Sequence, residues 1–404
     1  MFSSTITNTL KQHETPFYYY DLGLLKQTLQ ACSTAANKYN FHVHYAMKAN
    51  FNPKVLATIQ SFGLGADCVS GNEVKAAVDT GFAKNKIVFA GVGKSDKEIN
   101  LGLDADIFCF NVESVQELTI INDLAKAKNK TANVAIRINP NVDAYTHHYI
   151  TTGLEENKFG INTWELNAVV ATLKNCPNLN FMGIHFHVGS QITNMDVFKN
   201  LCTRVNEIGK WFEEHDLIIK VLNVGGGLGI DYHAPDEHSI CDFEAYFSVF
   251  NEHLQVKPGQ EVHFELGRAL VAQCASLIAR VLYVKNGLKK NFLILDAGMT
   301  ELIRPMLYQA YHQIENLTPN GVNAPESREV GKLGEELISD HQPLITKYDV
   351  VGPICESTDC FRKDVELPES FRGDLIAIRS AGAYGEVMVS GYNLRDRVQS
   401  VYTD

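Results

Sequence analysis

Apolar residues along this chain fall into two alternating patterns: short dense runs, and longer stretches in which they recur every three or four positions. The first reads as strand and the second as helix with one packed face. Strand-like runs are expected at 41–46 (FHVHYA), 64–67 (LGAD), 86–90, 106–110, 133–138, 181–187 (FMGIHFH), 219–224 and 261–265. Amphipathic stretches between them include 114–127 (SVQELTIINDLAKA) and 196–213. Eight strands separated by helical stretches predict an α/β fold, a (β/α)8 TIM barrel over residues 25–268, with an open doubly wound sheet as the competing arrangement. After residue 268 the rhythm changes. Runs at 275–284, 291–296 and 374–379 look like strands without regular helices between them. Residues 1–24 and 269–404 are therefore expected to form a mainly β domain, sandwich- or barrel-like, that includes the N-terminal strand 17–21 (FYYYD). The polar stretch 316–345 is expected to be an irregular excursion.

Length agrees with two domains, because 404 residues exceed what one core usually supports. A net charge of −11 argues against nonspecific nucleic-acid binding and fits a cytoplasmic protein. The first residues, MFSSTITNTLKQ, have no basic and then apolar pattern, so a secretory signal is not expected. No run reaches the ~18 apolar residues that a membrane-spanning helix needs. Nine cysteines, scattered singly and odd in number, read as reduced thiols.

The chemistry gathers at the carboxyl ends of the expected barrel strands, the face that carries the active site in such folds. Those ends hold Lys48, Asp67, Arg137, His187 with Ser190, the glycines Gly225, Gly226 and Gly227, and Glu265 with Arg268. A lysine just past an apolar strand is partly desolvated, which lowers its amine pKa and favours imine formation with a carbonyl cofactor. Standing alone, it would read as an ordinary solvated lysine. The run LNVGGGLG lets backbone N–H groups approach a phosphate, or simply makes a turn. It is not a dinucleotide fingerprint, because Ile230 stands where the last glycine would be. Glu265 has the charge to keep a pyridine nitrogen protonated, and Arg268 suits a carboxylate or phosphate, although the two could also be a plain ion pair. His185 and His187 form an H-x-H pair, which keeps a metal-dependent hydrolase open as a rival. The other strand ends supply too few His or Asp ligands for it, so no metal is expected. His147 and His148 read as loop residues.

YAMKAN, GADCVSGNE, INPNVDAYTHHYITTGLEENKFGI, HFHVGSQ, NVGGGLG, ELGR, LIRPMLYQAYH, GPICESTD and GAYG stand in this order from about residue 15 to 396. Together they resemble the diaminopimelate decarboxylases, of the barrel class of pyridoxal-phosphate enzymes. The resemblance implies pyridoxal 5′-phosphate as cofactor, linked to Lys48, with His187 against the pyridine ring and Glu265 on its nitrogen. It implies that Ser190, Gly225, Gly226, Gly227, Gly267 and Arg268 surround the phosphate, with Asp67 and Arg137 in support. Arg268, Arg304 and Tyr308 would bind the amino-acid substrate, and Tyr384 would touch both cofactor and substrate. It further implies a homodimer with shared sites, in which the partner copy supplies Cys355 as proton donor and Glu356 as reader of the distal amine. The sequence departs from the family pattern at Leu266, where proline is usual, and Cys360 has no assigned role.

The reaction implied is decarboxylation of meso-diaminopimelate to L-lysine and carbon dioxide, the last step of lysine biosynthesis. Carboxynorspermidine, ornithine and arginine decarboxylation are the nearest rivals. Alanine racemisation is disfavoured by Glu265, and a non-catalytic pyridoxal-phosphate regulator by the presence of Lys48, Glu265, Cys355, Glu356 and Tyr384. The loop 147–158, with its GLEENKFG run, has the length and glycines to close over the site.

Overall fold

A computed structural model describes residues 2–142, 158–318 and 345–404. Two compact units divide the chain: Leu22–Ile230 with Ile240–Val271, and Met1–Asp21 with Asp231–Ser239 and Ala272–Asp404. The nine-residue piece 231–239, expected within the barrel stretch, thus groups with the β unit.

The first unit is a closed barrel of eight parallel strands. They are His42–Ala46, Gly65–Cys68, Ile87–Phe89, Cys109–Val112, Ala132–Arg137, Leu179–His185, Val221–Asn223 and Glu261–Leu266. The last strand returns to the first in the register His42↔His263, Val43↔Phe264, His44↔Glu265. The open doubly wound alternative is thereby excluded. Helices between the strands begin where a short polar side chain can satisfy free N–H groups. Ser114 accepts from the Glu117 amide to start Val115–Ala127, and Ser95 with Glu98 forms a capping box on Asp96–Ala105. Helix Asp196–Glu214 buries Val197, Phe198, Leu201, Cys202, Val205, Ile208 and Phe212, the three-and-four spacing legible in the sequence. Gly183 is required by strand packing: a Cβ there would meet the Val221 carbonyl oxygen at 1.9 Å.

Two strands shift from their expected places. The run expected at 106–110 pairs from Cys109, because Asp106 takes a left-handed φ of 52° to end the preceding helix. The run expected at 181–187 begins at Leu179 and ends at His185, so His187 lies in the loop beyond it.

Phe264, fully buried, closes the barrel from outside against Phe41, Tyr246, Phe247 and Phe250, with ring centroids 4.9–5.7 Å apart. Truncating it should cost about 3–5 kcal/mol, as large-to-small changes in aromatic cores do. Urea unfolding of Phe264→Ala checks this, and a loss below about 1 kcal/mol would show that the cluster collapses to fill the void.

The second unit is an eight-stranded, largely antiparallel sheet. Phe17–Asp21 pairs antiparallel with Ala275–Asn286 and parallel with Gln399–Thr403, so the N-terminal strand does belong to the β domain. Ile345–Val351 and Cys360–Pro368 form a hairpin that the apolar pattern does not flag, since charged residues interrupt both runs. A small core of Leu10, Phe17, Tyr19, Ile278, Leu375 and Ala377 packs on this sheet. The expected excursion begins after the strand Ile314–Asn316, and most of it (319–344) lies outside the described residues. No described helix is long and apolar enough to cross a membrane.

Candidate active site

The barrel gathers its functional side chains at the carboxyl ends of the strands around a cavity of about 420 Å3. Lys48, Arg137, Phe159, His185, His187 and Glu265 line it. Lys48 sits on the one-turn helix Met47–Ala49 that follows the first barrel strand, and its Nζ donates to Asp67 Oδ2 at 3.2 Å. Asp67 is fully buried at the end of the next strand, and its Oδ1 has no hydrogen-bond partner among the described residues. Burial, reinforced by the charge of Glu265, pushes the Asp67 carboxyl up, and Lys48 opposes the shift. The lysine is the group that favours the charged form of this carboxyl.

Glu265 is the most fully satisfied side chain of the site. Its Oε1 accepts from Asn111 Nδ2 at 2.9 Å and Asn223 Nδ2 at 2.8 Å, and its Oε2 accepts from His185 Nε2 at 2.9 Å. Burial alone would raise its pKa. The surrounding His185, Lys48 and His187 reverse that and hold the carboxyl well below the usual range. An ionised carboxylate whose Oε2 has one partner among the described residues can also bind a protonated ring nitrogen.

His187 projects from the loop after its strand, and its Nδ1 accepts from the Gly226 amide at 3.4 Å. Burial first, then Arg137 and Lys48, hold its pKa well below the normal value, so the ring is neutral near neutral pH. A depressed histidine pKa contributes stability above the unfolded value of about 6.5, and that contribution is lost as pH falls below it. The melting temperature should therefore decline below about pH 6.5, and His187→Gln should flatten part of that decline. Superimposable pH profiles for the two proteins would show that His187 does not contribute.

The glycine run is joined to the cavity through this histidine. Gly225 has φ 71° and a Cβ there would meet the Phe186 carbonyl oxygen at 2.2 Å; at Gly226 a Cβ would meet that of Glu265 at 1.9 Å. Only glycine lets the backbone pass this close to the neighbouring strand ends. Gly227, at φ 112°, faces the Gly189 carbonyl oxygen at 2.8 Å from the same construction. Ser190 Oγ accepts from Arg268 Nη2 at 3.0 Å, and Gly267 lets the chain pass Ala46 and Ala49. Arg137 pairs with Glu113 at 2.8 Å, and that carboxylate also receives the Gly91 and Gly160 amides.

Four of these residues escaped the sequence reading as site members. From sequence His185 reads only as a metal candidate, and Asn111, Asn223 and Glu113 carry no site motif of their own. Their one signal is a polar side chain inside or just past an apolar strand, as in FCFNV and VLNV. His185 donates from Nε2 to Glu265 and so fixes that carboxylate from a strand end.

The remaining expected site residues belong to the β unit. Arg304 is buried at the start of helix Arg304–Tyr308, with Nη1 donating to Tyr232 Oη at 3.0 Å. Tyr308 is half-buried on the same helix. Tyr384 is half-buried and holds a left-handed φ of 57°, a strained backbone for a tyrosine. Cys355 is exposed, and Glu356 accepts from Tyr392 Oη at 2.5 Å. Their turn is fastened by Asp359, whose carboxylate accepts the Ile354 and Met299 amides, both at 2.7 Å. Cys360 follows it, half-buried, with its thiol pushed up by burial. His147, His148 and the 147–157 part of the expected closing loop lie outside the described residues.

Residues 23–272 match the family described as pyridoxal-dependent decarboxylase, pyridoxal binding domain. The chain is 55% identical to the diaminopimelate decarboxylase of Bacteroides thetaiotaomicron over 97% of its own length and 96% of that protein. It is 38% identical to that of Helicobacter pylori over 96% and 89%. The crystal structure of the Helicobacter pylori enzyme with L-lysine superposes with a TM-score of 0.87 at 37% identity, covering 98% of this chain and 93% of the other.

Proposed function

The chain belongs to the diaminopimelate decarboxylases within the pyridoxal-dependent decarboxylase family, and from that premise we propose that it converts meso-2,6-diaminopimelate to L-lysine and carbon dioxide with pyridoxal 5′-phosphate. One observation carries the reading: Lys48 on its buried carboxylate and an ionised Glu265, held by three donors, line one cavity. The residues fit the cofactor. Lys48 would hold its carbonyl carbon, Glu265 its ring nitrogen and His187 its ring. Ser190, Gly225, Gly226, Gly227, Gly267 and Arg268 would hold its phosphate, with Asp67 and Arg137 in support.

Bound pyridoxal phosphate supplies a cationic ring that takes up the electrons left when carbon dioxide departs. Glu265 keeps that ring positively charged because its own carboxyl stays ionised. Asp67 holds the Lys48 amine at the strand end, where it can accept and return protons. Arg268, Arg304 and Tyr308 supply donors for the two carboxylates of the substrate, and Tyr384 a further contact. Glu356 suits the distal ammonium, and the Cys355 thiol gives the α-carbon the proton that replaces the lost carboxylate. Ornithine has no distal carboxylate to occupy the arginines, so diaminopimelate is the better match.

The working unit in this reading is a homodimer in the cytoplasm, each copy lending Cys355 and Glu356 to the other. The exposed thiol of Cys355 supports the sharing, and nine cysteines with no disulfide among them support a reducing compartment. Mixing Lys48→Ala with Cys355→Ala subunits, each inactive alone, should restore about a quarter of the activity, since half the dimers are mixed and each has one intact site. No recovery after subunit exchange would place both residues in one chain's own site.

Two measurements test the activity: the visible absorbance of the purified protein, and carbon dioxide release on adding meso-diaminopimelate. A protein that stays colourless and inactive with added pyridoxal phosphate overturns the reading. Equal turnover of ornithine and diaminopimelate overturns the specificity.

A further inference from the structure

At the amino-terminal mouth of the barrel, opposite the strand ends that carry the cavity, His42, His44 and His263 stand beside Glu261. None of them takes part in the chemistry above. His42 and Glu261 begin the first and last barrel strands, and His42 is the register partner of His263. The seam that closes the barrel therefore runs between them.

The contacts form a chain. His44 Nδ1 meets the Lys86 carbonyl oxygen at 3.0 Å, His44 Nε2 meets His263 Nδ1 at 2.8 Å, and His263 Nε2 meets Glu261 Oε2 at 3.1 Å. Both ends are acceptors without a hydrogen, so three contacts need three hydrogens. Two neutral imidazoles carry one N–H each. One contact is therefore short of a hydrogen.

If Lys86 fixes the hydrogen of His44 on Nδ1, then His44 Nε2 accepts from His263 Nδ1. The lone pair of His263 Nε2 then points at Glu261. A histidine that donates from one nitrogen and offers the other is arranged as a metal ligand with its outer support in place. Gly65 protects that arrangement, since a Cβ there would lie 2.3 Å from His44 Nδ1. Ligand atoms of His42, Glu261 and His263 all lie within 4.8 Å of one another. Ligands on one tetrahedral zinc ion, bound at about 2.0–2.2 Å, sit roughly 3.3 Å apart. His263 is buried and fixed, while His42 is half-buried and the Glu261 side chain 52% exposed, so those two have room to close in.

We propose that His42, Glu261 and His263 bind a divalent transition-metal ion of the zinc type, which clips the first barrel strand to the last. Two imidazole nitrogens and one carboxylate oxygen suit that class of ion. The amino-terminal face of such a barrel serves stability, so the clip should act on folding and leave catalysis alone.

The test uses the pyridoxal-loaded enzyme, stripped with a chelator and then given Zn2+ alone. Metal per chain is read by elemental mass spectrometry, and the melting temperature by calorimetry. About one zinc per chain and a rise on the order of 5 °C at saturating Zn2+ are expected. His42→Ala and Glu261→Gln should each lose the uptake and the rise while keeping the wild-type kcat. Glu261→Gln changes an exposed side chain, so it stays informative if the histidine variant folds poorly. No stoichiometric uptake, or a rise that survives in either folded variant, overturns the proposal. The second outcome would assign the zinc to other histidines.

Discussion

Lys48→Ala is expected to lower decarboxylation by about 10,000-fold or more, the upper range for a positioned acid–base group that here also anchors the cofactor. Borohydride reduction followed by peptide mapping should find the cofactor fixed to Lys48 in the wild type and nowhere in the variant. A rate within tenfold of wild type would mean that the central residue is misassigned. The substitution also has a stability signature. It leaves the buried Asp67 carboxylate without its cation, at a cost of about 1–2 kcal/mol. That is below the 3–5 of a fully buried pair, because the Lys48 side chain is 36% exposed and water screens it. The sign follows from the raised pKa of Asp67. A carboxyl raised in the folded state contributes stability below the unfolded value of about 3.9, and this is lost as pH rises through the folded value. The penalty of Lys48→Ala should therefore grow from acid toward alkaline pH, and adding Asp67→Asn should relieve it. Calorimetry across that range checks both statements.

Glu265→Gln is expected to cost on the order of 1000-fold in kcat while leaving the fold nearly intact, a loss comparable to removing a preorganised electrostatic group from an active site. The amide has the shape of the acid. Its oxygen can still accept from Asn111 and Asn223, and its NH2 can face His185 Nε2 if that ring moves its hydrogen to Nδ1. His185 Nδ1 has no other hydrogen-bond partner among the described residues, so the move meets no competitor there. What is lost is the charge. A depressed carboxylate pKa contributes stability above the unfolded value of about 4.3, lost only as pH falls through the folded value. Any stability advantage of the wild type over the glutamine variant should thus persist into mildly acid buffer. Activity within tenfold of wild type would show that ring charge is not what Glu265 provides. A collapse in melting temperature together with the rate would show a structural role instead.

Much of this site was legible because the barrel carries its chemistry at strand ends, and strand ends can be located from apolar runs alone. Lys48, Asp67, Arg137 and Glu265 were found that way. The shared cavity of Lys48, Arg137, His187 and Glu265 followed from nothing more local than eight strands closing in order. Asn111 and Asn223 were not legible, because a lone asparagine in a short apolar run looks the same whether its partner is water or a carboxylate 154 or 42 residues away. The hairpin Ile345–Val351 with Cys360–Pro368 is hidden for a related reason: charged residues such as Lys347, Asp349, Arg362, Lys363 and Asp364 break up its apolar runs.

The sequence by itself determined the fold class, the N-terminal strand's place in the β domain and the ends at which function gathers, because periodicity and residue type act over a few neighbours. Only the tertiary structure decided which groups share a charge. It gave Glu265 three donors from three strands, left Asp67 dependent on Lys48, and set four side chains from the barrel's first and last strands into one hydrogen-short cluster at its seam. Those properties arise from through-space contacts and from the loss of water around them, and neither is written in the order of the residues.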